Sequence, residues 1–107
     1  MKGNTMKVEN ITSSNGNKIA NQFVITDDED NKYFQSYSSI IVKKTNCSNY
    51  NVENNEVSIF YKIELDQKYW NYSNTTGKYR NIFLGETIKD TKAKIKSGEY
   101  ILTDLNK

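Results

Sequence analysis

Four consecutive acids, Asp27, Asp28, Glu29 and Asp30, form the densest charge in this 107-residue chain. Side by side, such carboxylates can imitate nucleic-acid phosphates toward a basic groove on a protein partner. A solvated hairpin turn is the plainer meaning of the same residues. They do not read as a calcium loop, since the alternating acid spacing and the distal glutamate are missing. Opposite charge gathers later: residues 89–96 hold four lysines against one aspartate. Lys89, Lys92 and Lys96 repeat at i, i+3 and i+7, one stripe of a helix, with Lys94 flanking it. Together with Arg80 the stripe can neutralise phosphates or meet an acidic patch, or it is an ordinary solvated face.

Aromatic residues are the second set. Trp70, the only tryptophan, stands among Tyr69, Tyr72 and Tyr79. Such a cluster can stack bases or anchor an interface. It can equally be core, because a small domain poor in Leu and Val needs aromatic area to fold; Trp70, Tyr79 and Phe83 are assigned to the core, while Tyr33, Tyr37 and Tyr72 stay open between core and surface. Ser73-Asn74-Thr75-Thr76 places side-chain oxygens where a helix begins, suited to an anion at the helix N-terminus or simply to capping. Catalytic chemistry finds little support. There is no histidine, Cys47 is alone, and the chain has no G-x-S-x-G, no phosphate-binding glycine loop and no paired acids around a recognisable cleft. The expectation is no enzyme, no cofactor and no metal, the zinc ligand sets being excluded by composition.

The elements that must position these residues begin with Met6, Val8 and Ile11, an apolar run before Ser13-Ser14-Asn15-Gly16-Asn17, whose Asn-Gly pair signals a two-residue hairpin turn. Residues 18–26 alternate, with Ile19, Phe23 and Ile25 on one face and Ala20, Gln22 and Val24 on the other; the acidic turn closes a second hairpin. Residues 32–45 read as one strand whose polar middle, Gln35 to Ser39, makes it an edge, a bulge or a contact surface. Tyr33, Gln35 and Tyr37 are its candidate contact residues. An Asn-rich surface loop, 46–55, precedes the best alternation in the chain, with Val57, Ile59, Tyr61, Ile63 and Leu65 facing in and Phe60 facing out. A short helix follows from about Thr75 to Leu84, presenting Tyr79, Ile82 and Phe83 with Thr76 on one side and Gly77, Lys78 and Asn81 on the other, stopped by Gly85. Thr87 and Asp90 have capping-box spacing for a second helix to about Ser97. Its face of Ile88, Thr91, Lys92 and Ile95 is thin, and Gly98 ends it. Residues 100–105 make a closing strand, Tyr100 and Leu102 on one face and Ile101 and Leu105 on the other. The fold class is therefore α+β: a mainly antiparallel sheet of about five strands with two short helices on one face, ordered strands, helix, helix, strand.

Length allows one domain, residues 1–107. Net charge is only +2, too weak to argue for nucleic acid by itself. No apolar run is long enough to span a membrane and the first residues lack a signal-peptide h-region, so an intracellular, cytoplasmic protein is expected. Fifteen Asn and no Pro reflect AT-rich codons.

Three stretches, QSYSSIIVK, LDQKYWNYSNTTGKYRNIFLGE and KIKSGEYILTDLN, resemble a family of short uncharacterised proteins of phages, prophages and plasmids in AT-rich bacteria. The shared pattern falls at Tyr33 to Ile40, Trp70 to Tyr79 and Phe83 to Glu86, and the likeness covers nearly the whole chain. The Asn-rich insert at 46–55 departs from the family's shorter, often Gly-containing loop. The resemblance implies no defined activity. It implies a mobile-element accessory protein, and accessory proteins of this size include inhibitors of host defence, anti-CRISPR proteins among them. The expected function is accordingly non-catalytic binding and inhibition of a host protein or ribonucleoprotein, such as a CRISPR effector, within a bacterial cell. The alternatives are a small nucleic-acid-binding module using Lys89, Lys92, Lys96, Arg80 and Tyr37, and a structural or assembly protein of a virion.

Overall fold

A computed structural model describes residues 6–58 and 60–107. Strand β1, Lys7–Thr12, and β2, Lys18–Thr26, form the first hairpin, joined through residues 13–17. The turn is longer than the Asn-Gly pair suggests. The Gly16 N–H donates to the Ser13 carbonyl at 2.9 Å, Gly16 takes φ of 82°, and the Ser13 N–H donates to Asn17 at 2.8 Å. The acidic turn repeats this arrangement. There the Asp30 N–H donates to Asp27 at 3.2 Å, the Asp27 N–H to Asn31 at 3.0 Å, and Asp30 occupies the left-handed region with φ of 62°. Asp is one of the few side chains that tolerates that region.

Strand β3, Lys32–Ser36, follows this turn, and β4 is Ser39–Asn46. The single strand expected over 32–45 is thus a hairpin, turned at Tyr37-Ser38, where Tyr37 has φ of 55°. No glycine announces this turn. Instead the Tyr37 N–H donates to the Asn21 carbonyl at 2.7 Å, anchoring the turn to β2. Between Phe34 and Gln35 the register slips by one residue, so that the partners Val42 and Ile40 leave Ile41 over. That bulge lets Ile41 and Val42, neighbours in sequence, both be buried.

The Asn-rich segment carries a small separate sheet rather than an open loop: β5, Asn49–Asn51, pairs with β6, Glu56–Ser58. The run 57–65 is consequently divided. Val57, expected to face inward, is exposed in β6, Ile59 lies outside the described residues, and β7 is Tyr61–Asp66. Helix α1, Asn74–Leu84, and α2, Ile88–Ser97, come next, and β8, Tyr100–Thr103, closes the chain. Residues Asp104 and Leu105 fall beyond that strand. The main sheet has six strands, one more than expected, in the order β1-β2-β3-β4-β7-β8. All pairs are antiparallel except β7 and β8, which are parallel and therefore need the two helices as their crossover.

Packing on the helix side uses one cross-strand row, Val24, Phe34, Val42, Leu65, together with Ile11, Ile41 and Tyr100. Asn21, with φ of 65°, breaks the period of β2. Ile19 and Val24 therefore pack on the core while Phe23 and Ile25 do not, which reverses part of the expected alternation. Over this face α1 lays Phe83 on Phe34, ring centroids 5.9 Å apart, and the Thr76 and Ser36 hydroxyls meet at 3.3 Å. Trp70 and Tyr79 pack against the same core. Three residues of α1 fall contrary to expectation: Ile82 is 55 % exposed, Arg80 is 1 % exposed, and Gly77 is buried. The helix turns so that Thr76, Gly77 and Arg80 are buried.

Capping holds both helices as their sequences imply. The Ser73 hydroxyl accepts from the Thr76 N–H at 3.1 Å, and Gly85 in the left-handed region donates to the Asn81 carbonyl at 2.8 Å. Thr87 and Asp90 form a full capping box. Thr91 and Ile95 turn α2 inward, whereas Lys92 is exposed.

Candidate functional site

With both helices on one side, residues of the opposite parity form a face that neither helix covers. One row crosses the whole sheet there: Val8, Ile25, Tyr33, Lys43, Glu64, Ile101. Beside it runs a shorter row, Asn10, Phe23, Gln35, Ile40. Phe23, Ile25, Tyr33 and Ile40 are half-buried and lie outside the core cluster. A cavity of about 450 Å³ opens on this face between Ile25, Tyr33, Ile40 and Leu105, with Lys43 and Asp104 at its border. Lys43 lies over the Tyr33 ring at 5.9 Å.

The acidic turn borders the same face, and its four acids are not equivalent. Asp27 is structural: it accepts from the N–H groups of Asn31 and Glu29 at 2.9 and 3.0 Å, from the Asn31 amide, and from the Tyr33 hydroxyl at 3.5 Å. The Asn31 N–H leads the causes that hold its carboxyl below the ordinary value. Asp30 accepts from the Tyr61 hydroxyl and pairs with Lys32 at 3.7 Å, and its charge pushes the Tyr61 hydroxyl upward. Among the described residues the side chains of Asp28 and Glu29 make no hydrogen bond or ion pair. Asp27 thus ties the acidic turn to Tyr33, and two of the strand-surface candidates, Tyr33 and Gln35, share the open face.

Tyr37, the third, belongs elsewhere. It is 59 % exposed and Tyr72 is 69 % exposed, and both line a cavity of about 260 Å³ on the helix side, floored by Ile41 and edged by the hydroxyls of Ser36, Ser73 and Thr76. Tyr69 completes the aromatic wall, edge-on to Tyr72 at 5.4 Å. Ser73 and Thr76 are occupied in capping and in the Ser36 contact.

The three lysines and Arg80 do not share one environment. Lys89, Lys92 and Lys96 are exposed along α2. Arg80 is corrected: it is a buried residue of α1, donating to the Trp70 carbonyl at 2.6 Å and to the side chains of Asn71 and Asn81 at 3.3 and 3.0 Å, its Cζ 5.3 Å from the centre of the Trp70 ring. Lys94 is drawn to Glu86 at 2.8 Å. Among the described residues no group of three His, Cys, Asp or Glu side chains is placed to hold a metal ion, and no helix is long and apolar enough to cross a membrane.

Sequence reading missed Phe23, Ile25 and Ile40 as surface residues. The signal was present in the alternation of 18–26, but which parity faces the helices depends on Asn21 and the Ile41 bulge, and neither irregularity is marked by a glycine.

A family model described as a family of unknown function, DUF8033, matches residues 6–101. No curated protein and no solved structure matches the chain.

Proposed function

The chain belongs to this family of unknown function, and we propose that it is a non-catalytic binding protein that docks on a host protein or ribonucleoprotein through the helix-free face of its sheet. The observation that carries the reading is the continuity of that face: half-buried Phe23, Ile25, Tyr33 and Ile40 lie beside a turn whose outer acids, Asp28 and Glu29, form no ion pair among the described residues. An apolar and aromatic centre with a charged rim is how binding surfaces are built. The more specific form is a mobile-element accessory protein that inhibits a host defence complex, an anti-CRISPR acting on a CRISPR effector; motif likeness at Tyr33 to Ile40 and Trp70 to Glu86 supports it. The second reading, a nucleic-acid module, is favoured by the exposed Lys89, Lys92 and Lys96.

Charge reversal separates the two. After capture of the partner from host lysate and its identification by mass spectrometry, titrations compare Asp28→Lys with Glu29→Lys against the Lys89, Lys92, Lys96→Glu triple. The acidic double should fold normally and weaken partner binding, because reversed charge repels a basic groove. The lysine triple should matter less. If instead the triple abolishes binding to labelled DNA, with a steep loss of affinity as salt rises, the nucleic-acid reading replaces this one.

A further inference from the structure

Arg80 presents an electrostatic problem that the fold does not solve internally. It is 1 % exposed, yet its three hydrogen bonds go to neutral oxygens of Trp70, Asn71 and Asn81. Its Nε is buried without a partner, and no carboxylate lies within ion-pair distance of it among the described residues. Burying a charge without a counter-charge is costly. Glu86, whose charge Arg80 feels, is already held by Thr91, Lys94 and Tyr100.

Arg80 belongs to the lining of a cavity of about 480 Å³, outside the first turns of α1, together with Asn74, Gly77, Lys78 and Asn81. Lys78 is a second cation on this lining, no carboxylate belongs to it, and the first turn of α1 contains no acid. Gly77 is the second clue. Its backbone is not in the left-handed region, and a Cβ built on it would meet Arg80 Nη2 at 3.6 Å and Nη1 at 3.7 Å, ordinary contact distances. Alanine would therefore fit and is the better helix former. What a methyl group would do is stand against the guanidinium and take up the space before it.

We propose that this cavity binds a small oxyanion of the phosphate class, with Arg80 as its buried counter-charge, Lys78 as its outer cation, and Gly77 keeping a methyl group from standing between the cavity and the guanidinium. Arginine's planar fork suits a tetrahedral oxyanion, and the N-terminal turn of α1 adds its dipole. The site is separate from the helix-free face, so it stands whatever partner that face takes.

The test uses the full chain, titrated with inorganic phosphate, adenosine monophosphate and adenosine while amide and arginine Nε–H resonances are followed by NMR. Phosphate should bind saturably in the millimolar range, shifting Gly77 and the Arg80 Nε–H. A monophosphate ester binding more than about tenfold tighter than phosphate, with adenosine silent, would identify an esterified ligand; equal affinities would identify the free ion. Gly77→Ala should melt at or above the parent temperature and lose at least about tenfold in phosphate affinity, and Lys78→Gln should lose several-fold. No saturable shift up to about 20 mM of either anion, or a Gly77→Ala protein that binds phosphate like the parent, overturns the proposal. So does single-stranded DNA binding that Gly77→Ala leaves unchanged while phosphate has no effect.

Discussion

Replacing Glu86 with Gln should remove about 2 kcal/mol of stability at neutral pH. Glu86 sits in the short link between the helices with its side chain 7 % exposed, and it gathers three donors: Thr91 Oγ1 at 2.6 Å, Lys94 Nζ at 2.8 Å and Tyr100 Oη at 2.7 Å. Glutamine keeps the shape and an acceptor, so the loss is the charge assistance. A hydrogen bond to a charged group contributes about 1 kcal/mol more than a neutral one. Thr91 and Tyr100, both buried, account for about 2 kcal/mol between them on that basis, and half-exposed Lys94 is left out of the sum. With a urea slope of about 2 kcal/mol/M, the unfolding midpoint should fall by about 1 M. Acid dependence provides the second reading. Burial works against the ionised carboxyl, but the hydrogen bonds from Lys94, Thr91 and Tyr100 outweigh it and hold the Glu86 pKa below its ordinary 4.5. Its contribution is thus full above pH 4.5 and is lost as pH falls through the lower folded value. Glu86→Gln should flatten that part of the stability profile, while Asp27, Asp66 and Asp90, also held low, continue to supply the rest. Tyr100, pushed up to about 12 chiefly by burial, should titrate closer to an ordinary tyrosine in the variant. An unchanged midpoint at pH 7 together with an unchanged acid limb would refute the argument that this carboxylate ties the helices to β8.

Other substitutions test neighbouring parts of the reasoning. Gly85→Ala, at φ of 69° with nothing within 4 Å of the added Cβ, meets only a conformational penalty of about 1 kcal/mol, read as a drop of about 5 °C in melting temperature; no drop would mean α1 and α2 can run on without the left-handed stop. Phe83→Ala should cost about 3 kcal/mol by opening a cavity above Phe34, and a parental melting curve would show that Phe83 is a surface anchor instead. Trp70→Ala should cost a similar amount and also release Arg80, seen as the Arg80 Nε–H entering fast exchange with solvent; slow exchange in that variant would place the shielding of the guanidinium elsewhere.

Legibility from sequence followed locality. Gly85, Gly98, Ser73 and the Thr87/Asp90 pair each act within one turn of chain, and both helices end where those residues say they should. The hairpin at Tyr37-Ser38 was hidden because its left-handed residue is a tyrosine, held by an N–H bond to Asn21, far away in sequence. Arg80 was misplaced for a related reason. Charge argues for solvent, and only the Trp70 carbonyl and the ring that covers the guanidinium, set by tertiary packing, reverse that preference. For the candidate face, Tyr33 and Gln35 were found because alternation is local, whereas Phe23 and Ile40 depended on the break at Asn21 and the bulge at Ile41, neither marked by a glycine.

The parallel pairing of β8 beside β7 imposes an order of events. Strands β1 to β4 and β7 can assemble by neighbouring hairpins as the chain emerges, but the last partner of β7 arrives only with Tyr100. Until then the backbone of Tyr61 to Asp66 is an unpaired edge, open to any other extended chain. The residues just after β8 then fasten the seam: the Leu105 N–H donates to Asp66 at 2.8 Å, and the Asn106 amide bridges both backbone groups of Ile40 at 2.7 and 2.9 Å. Nascent or truncated chains ending before residue 100 should therefore self-associate through β7, and Leu105 and Asn106 serve as the latch that holds β8 in place on that edge.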